Sequence, residues 1–258
     1  MCNWKIGNYI NIFALYIITL KDKVILVNIR VNNKFVIDCI FVIFSTLSEG
    51  KGMNMKKISK THSIYLIIFF MVFIWSVIYP KDYFTWFLEV LPAIIGIMVI
   101  IFTYEKFTFT NFVYGLILIH AIILLIGGHY TYAEMPLFNW IKDSFHLSRN
   151  YYDRLGHFAQ GFIPAFVARE ILIRKSYLKR GKMLLFIVVC ICLSISAAYE
   201  LIEWFVAELT GSAAEAFLGT QGDVWDTQWD MFLALIGSMS AVFMFSKIHD
   251  KCIEKLRK

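Results

Sequence analysis

The chain has 258 residues, of which 59% are hydrophobic and only 17% charged, with 24 Phe, 13 Tyr, 7 Trp and a formal net charge of +6. So few charges among so many aromatics exclude an ordinary soluble domain and indicate a membrane protein. The basic residues gather in a few clusters and the aromatics sit inside apolar runs, which argues against nucleic acid as a partner.

Residues 1–52 hold two apolar runs, 6–20 and 35–47. Each is shorter than the roughly 18 residues a span requires. A basic head follows at Met53, Met55, Lys56, Lys57 and Lys60, ahead of a long apolar stretch. We therefore expect 1–52 to be a doubtful N-terminal extension from a misassigned start, and 53–258 to be the integral membrane domain. The other reading of 1–52 is an amphipathic leader lying on the membrane.

Beyond residue 60 the pattern predicts an all-α, polytopic protein with about six transmembrane helices, at 63–79, 86–102, 111–127, 155–173, 183–207 and 229–248. The first resembles a signal peptide, but Trp75 and Tyr79 stand where a small-residue cleavage site would be, so it reads as an uncleaved anchor. Pro92 should kink the second span, and Gly127 and Gly128 should end the third. In the long connection 128–152, Phe138, Ile141 and Phe145 recur at helical spacing, which suggests a short interfacial helix. Cys2, Cys39, Cys190, Cys192 and Cys252 form no CxxC pair and read as small apolar residues.

Short loops rich in Lys and Arg stay in the cytoplasm. Such clusters stand before the first span, between the fourth and fifth (Arg169, Arg174, Lys175, Lys179, Arg180, Lys182), and after the sixth. The fifth-to-sixth connection carries Glu208, Glu215, Asp223 and Asp226 and no base. Six spans with cytoplasmic N- and C-termini satisfy every cluster.

That topology brings three polar groups to the outer end. Asp153 and His157 are four apart on one helix face, continued by Gln160. Glu200 and Glu203 are three apart, above Ser196; Asp226 and Asp230 are four apart, above a stripe of Ala234, Gly237 and Ala241. Lipid penalises such faces, so they should turn inward onto a shared cavity.

Asp153, His157, Glu200 and Glu203 are the candidate catalytic groups, His157 as proton carrier among crowded carboxylates. Arg149 and Arg154 could hold a phosphate or carboxylate, or tie Asp153, Glu203 or Asp226. His129, Gln160, Asp223, Asp226 and Asp230 complete the candidate binding set, with Asp226 also suited to cap the last span. A divalent metal could sit on Asp153, His157, Glu200 and Asp230. His120, alone in mid-span, reads as a hydrogen-bonded packing residue. Residues 219–223 read as a tight turn carrying Asp223. There is no Walker loop, GxGxxG before a helix, GxSxG or HExxH.

The tracts SRNYYDRLGHFAQGF, AAYELIEW and FLGTQGDVWDTQWDM resemble the YjdF-like bacterial inner-membrane proteins, over about residues 60–248. The resemblance implies a multi-pass protein of the bacterial inner membrane and supplies no activity. A fainter likeness to the VanZ-like membrane proteins matches Asp153, Arg154, His157, Glu200, Glu203 and Asp230; it departs at Trp204 and in the loop 208–228. Three functional readings follow. The protein binds or processes an envelope or lipid-linked molecule, or it is a small transporter or channel for a cation or protons, or it is a structural or assembly factor. The apolar spans below Gln160, Ser196 and Asp230 weigh against a transport path.

Overall fold

The computed structural model describes residues 58–211 and 215–256. The expectations for 1–52, including Cys2 and Cys39, lie outside the described residues. The described residues form α1 (Lys60–Val77), α2 (Tyr83–Thr103), α3 (Asn111–Tyr130), α4 (Pro136–Ser144), α5 (Tyr152–Arg174), α6 (Lys182–Thr210), α7 (Glu215–Leu218), α8 (Asp226–Met244) and α9 (Ser246–Lys255), with no strand among them.

Local chemistry sets the boundaries. Ser59 caps α1 by accepting from the His62 amide at 3.2 Å, and Asp82 caps α2 by accepting from Thr85 at 2.7 Å. Pro92 lies inside α2, which continues through it to Thr103. Gly127 and Gly128 do not end α3. The helix runs on to Tyr130 and stops at Thr131, whose φ of 56° is left-handed. The glycines serve packing instead: a Cβ on Gly127 would lie 2.2 Å from the Tyr132 ring, and one on Gly128 would lie 2.8 Å from Val90.

Among the described residues, four helices, α1, α2, α3 and α6, are long and apolar enough to cross a membrane, and the bent pair α8 and α9 makes a fifth if it is one span. Helix α5 fails that test because Asp153, Arg154, Arg169, Glu170 and Arg174 lie within it. The expected last span over 229–248 is broken. Helix α8 ends at Met244, and the chain bends by 62° into α9. Helix α9 is amphipathic, burying His249 and Ile253 while Lys247, Lys251 and Lys255 stay exposed.

Helix α5 is the centre of the bundle. It packs against α3, α6 and α8, and α3 packs in turn against α1 and α2. The α5–α8 contact is backbone to backbone. A Cβ on Gly161 would lie 1.8 Å from the Ala234 carbonyl oxygen, and one on Gly237 would lie 2.2 Å from that of Phe158. The small stripe Ala234, Gly237 and Ala241 is buried there. Ser76 joins α1 to its neighbours by donating to the Leu125 carbonyl at 2.6 Å and accepting from Trp86 Nε1 at 2.9 Å.

Helix α4 forms at the expected place and has no buried residue; Leu137 and Trp140 in it and Phe145 at its C-cap are exposed. Cys192 is buried and Cys190 half-buried, both free. His120 departs from expectation: its Nε2 is buried with no hydrogen-bond partner among the described residues.

Candidate functional site

The N-terminal ends of α5 and α8 and the C-terminal half of α6 carry one cluster of buried charge. The loop before α8 is pinned first. Gly219, Gln221 and Gly222 have positive φ, and the Asp223 amide donates to the Thr220 carbonyl at 2.9 Å, giving the expected turn. Gln221 accepts from the Asn150 amide at 2.8 Å and donates back to the Asn150 carbonyl at 2.9 Å. Arg149 Nη2 donates to the Gly219 carbonyl at 3.2 Å. The tip of the loop is thereby fixed to the residues that enter α5.

Both arginines spend their donors on carboxylates. Arg149 donates to Asp226 Oδ1 at 2.5 Å and stands 3.5 Å from Asp153 Oδ2 and from Asp223 Oδ2. Arg154 donates to Asp226 Oδ1 at 2.6 Å, to Asp223 Oδ2 at 3.1 Å, and to Asp230. No ion pair reaches Glu203 among the described residues. Asp226 does not cap α8: Trp225 holds the N-cap position, Asp226 sits in the first turn, and the arginines draw its carboxylate away.

His157 lies between the helices. Its Nδ1 is 3.0 Å from Gln160 Oε1 and 3.7 Å from Glu200 Oε1. Its Nε2 is 3.4 Å from Asp153 Oδ1 and 3.7 Å from Asp230 Oδ1. Asp153, His157 and Asp230 each offer one ligand atom, all within 4.8 Å of one another, the spacing of a metal centre. Glu200, the fourth residue named from the sequence, stands beside this trio on the Nδ1 side.

Glu203 and Glu89 are buried nearby, and Tyr199 reaches Glu89 Oε2 at 3.5 Å. Ser196 is fully buried below, its Oγ without a partner among the described residues. His129 stands apart: its Nδ1 meets the Ser76 carbonyl at 2.9 Å and its ring stacks on Trp75. Tyr132, in the loop after α3, abuts Gly156 one turn below Asp153. Burial, then the Glu89 carboxylate, pushes its phenol well above the ordinary range, so it stays protonated.

A cavity of about 750 Å³ opens beside the cluster between α6, α8 and the loop that joins them. Glu200, Asp223 and Asp226 form its polar side; Leu201, Trp204, Val224 and Met231 form its apolar side. No basic residue lines it.

Sequence reasoning missed a second polar centre at the opposite end of α5. Glu170, fully buried, accepts from the Thr110 amide at 2.9 Å, Thr110 Oγ1 at 2.8 Å, Arg174 Nη1 at 2.6 Å and His249 Nε2 at 3.1 Å. Arg169 Nη1 lies 3.2 Å from His249 Nδ1, and a guanidinium can only donate, so Nδ1 is the acceptor and Nε2 carries the proton. Arg169 also donates to Asp250 at 2.8 Å. Asn150 and Gln221 were missed as well. Their amides carry no charge, and nothing in the sequence spacing marks them as partners.

The family described as "Predicted membrane protein (DUF2238)" matches residues 61–251. The chain belongs to this family. The Inner membrane protein YjdF of Escherichia coli (strain K12) is 48% identical over 179 residues, covering 69% of this chain and 86% of that protein. No solved structure matches. The matched span of this DUF2238 chain includes both polar centres and every candidate site residue. The family's membrane character agrees with the apolar helices, which make this DUF2238 chain a multi-pass protein.

Proposed function

We propose that this chain is a six-span protein of the bacterial inner membrane, both termini cytoplasmic, that binds an amphiphilic envelope or lipid-linked molecule at its outer face. The charge clusters support the six spans, with α5 crossing between α3, α6 and α8 and with α8 turning its polar residues onto α5. The observation that carries the binding reading is the cavity between α6 and α8. Its apolar side continues onto Leu201 and Trp204, which are exposed at the outer surface of α6, so a chain could enter sideways from lipid. On its polar side Asp223 and Asp226 are already paired with Arg149 and Arg154, which leaves Glu200 for a head group that carries an amine or other hydrogen-bond donors.

The test is mass spectrometry of lipids retained through detergent purification. One amphiphile should be enriched over its share of the membrane, and Trp204→Arg should remove it while the protein stays monodisperse. Bulk-like lipid composition in both proteins would sink the proposal. Externally added thiol reagent should label a cysteine placed at Val224 in intact spheroplasts and spare one placed at Lys179; the reverse pattern would refute the topology.

A further inference from the structure

We infer that Asp153, His157 and Asp230 form a binding site for a divalent transition metal, with Gln160 orienting the histidine and Glu200 flanking it on the Nδ1 side. The first support is the tautomer. With Gln160 Oε1 as acceptor, His157 Nδ1 carries the proton, and Nε2 turns its lone pair toward Asp153 Oδ1 and Asp230 Oδ1. Three electron-rich atoms then converge on one point. Arg154 holds Asp230 and Arg149 stands 3.5 Å from Asp153, and a cation bound at Nε2 would join the remaining lone pairs. A metal-bound histidine whose other nitrogen donates to a fixed acceptor is the usual ligand arrangement.

The second support is Glu200. Its side chain is only 5% exposed, and Oε1, 3.7 Å from His157 Nδ1, has no hydrogen-bond partner among the described residues. A buried carboxylate oxygen left bare is costly and calls for a partner beside His157. The third is charge balance. Glu89, Asp153, Glu200, Glu203, Asp226 and Asp230 are all buried, against the guanidiniums of Arg149 and Arg154 and one imidazole. Arg149 faces Asp153 Oδ2 and leaves Oδ1 to His157, whereas Arg154 and His157 share Asp230 Oδ1; Glu89, Glu200 and Glu203 have no arginine partner among the described residues. One nitrogen with carboxylate oxygens suits Zn²⁺ or Mn²⁺ better than Ca²⁺, which prefers an all-oxygen shell.

The site adjoins the cavity of the proposed binding function, but metal retention is read without any amphiphile, so either can fail alone. Full-length protein, purified in detergent without a polyhistidine tag and stripped with chelator, is titrated with Zn²⁺ and separately with Mn²⁺. Metal content is read by mass spectrometry after desalting, and the thermal midpoint in parallel. A stoichiometric equivalent of one metal should be retained, with an upward midpoint shift of several degrees. His157→Gln should abolish both effects. Gln160→Leu, which removes only the orienting acceptor, should weaken binding by about 10- to 100-fold. Wild-type protein that retains neither metal overturns the inference, whatever the variants do. So does equal retention in folded His157→Gln. If His157→Gln fails to fold, the Gln160→Leu affinity decides: an unchanged affinity overturns the site.

Discussion

Arg154 on α5 holds the first residue of α8 by both its side chain and its backbone: Nη2 donates to Asp226 Oδ1 at 2.6 Å, and Nη1 donates to the Asp226 carbonyl at 3.2 Å. The same guanidinium reaches Asp230 one turn further on. A planar fork can serve these acceptors together and a point charge cannot. Arg154→Lys should therefore destabilise the protein although the charge is kept, and Arg154→Ala should cost about 3–5 kcal/mol by leaving buried carboxylates unpaired. Thermal unfolding in detergent reads the difference. Equal midpoints for wild type and Arg154→Lys would show that geometry is irrelevant there.

At the α5–α8 crossing the backbones leave no room for a methyl group. Gly161→Ala places a Cβ against the Ala234 carbonyl, so the helices must part. The expected loss is about 1–3 kcal/mol from overpacking, more if the polar cluster above is pulled apart. Gly96, whose Cβ would meet nothing within 4 Å, is the control. Size-exclusion profiles should broaden for Gly161→Ala and stay sharp for Gly96→Ala.

Glu170 gathers donors from three elements: Thr110 at the start of α3, Arg174 on α5 and His249 on α9. Glu170→Ala should cost about 3–5 kcal/mol, since Arg174 and the His249 proton lose a buried acceptor. Helix α9 should loosen first, being short and held at this end by His249. Faster hydrogen exchange across 246–255 than across α3 checks this; uniform exchange would argue against a local clasp.

Glu200→Gln should behave differently from these. Oε1 makes no hydrogen bond, and the neutral amide relieves crowding with the buried carboxylates around it. Stability should stay within about 0.5 kcal/mol of wild type or rise, while retention of metal and amphiphile falls. A large loss of stability would instead make Glu200 a structural tie.

The three polar faces were legible because their spacing of three or four residues is local, and charge asymmetry among the loops set them at one end. The partners of those faces were harder. Arg154 is next to Asp153 in sequence yet reaches across to Asp226 and Asp230, a choice made by helix packing. Glu170 and His249 are 79 residues apart, and the clustered bases around Arg169 and Arg174 read as a cytoplasmic loop. The bend between α8 and α9 leaves no trace either. Residues 243–248 contain neither glycine nor proline, so no helix breaker marks the break.

Helix α5 carries its charge at both ends. Between Arg154 and Arg169 lie 14 residues, about 21 Å of helix at 1.5 Å per residue, against roughly 30 Å of hydrocarbon. In the proposed six-span arrangement its terminal charges fall within bilayer depth, sheltered by α3, α6, α8 and α9. Such a segment is a poor substrate for insertion by itself, because each charged residue weighs against partition into lipid. Its carboxylates and arginines find their counterparts on α8 and α9, which leave the ribosome later. In that arrangement we expect α5 to be held at the insertion machinery until the C-terminal helices arrive, and truncation before α8 should leave it exposed to membrane quality-control proteolysis.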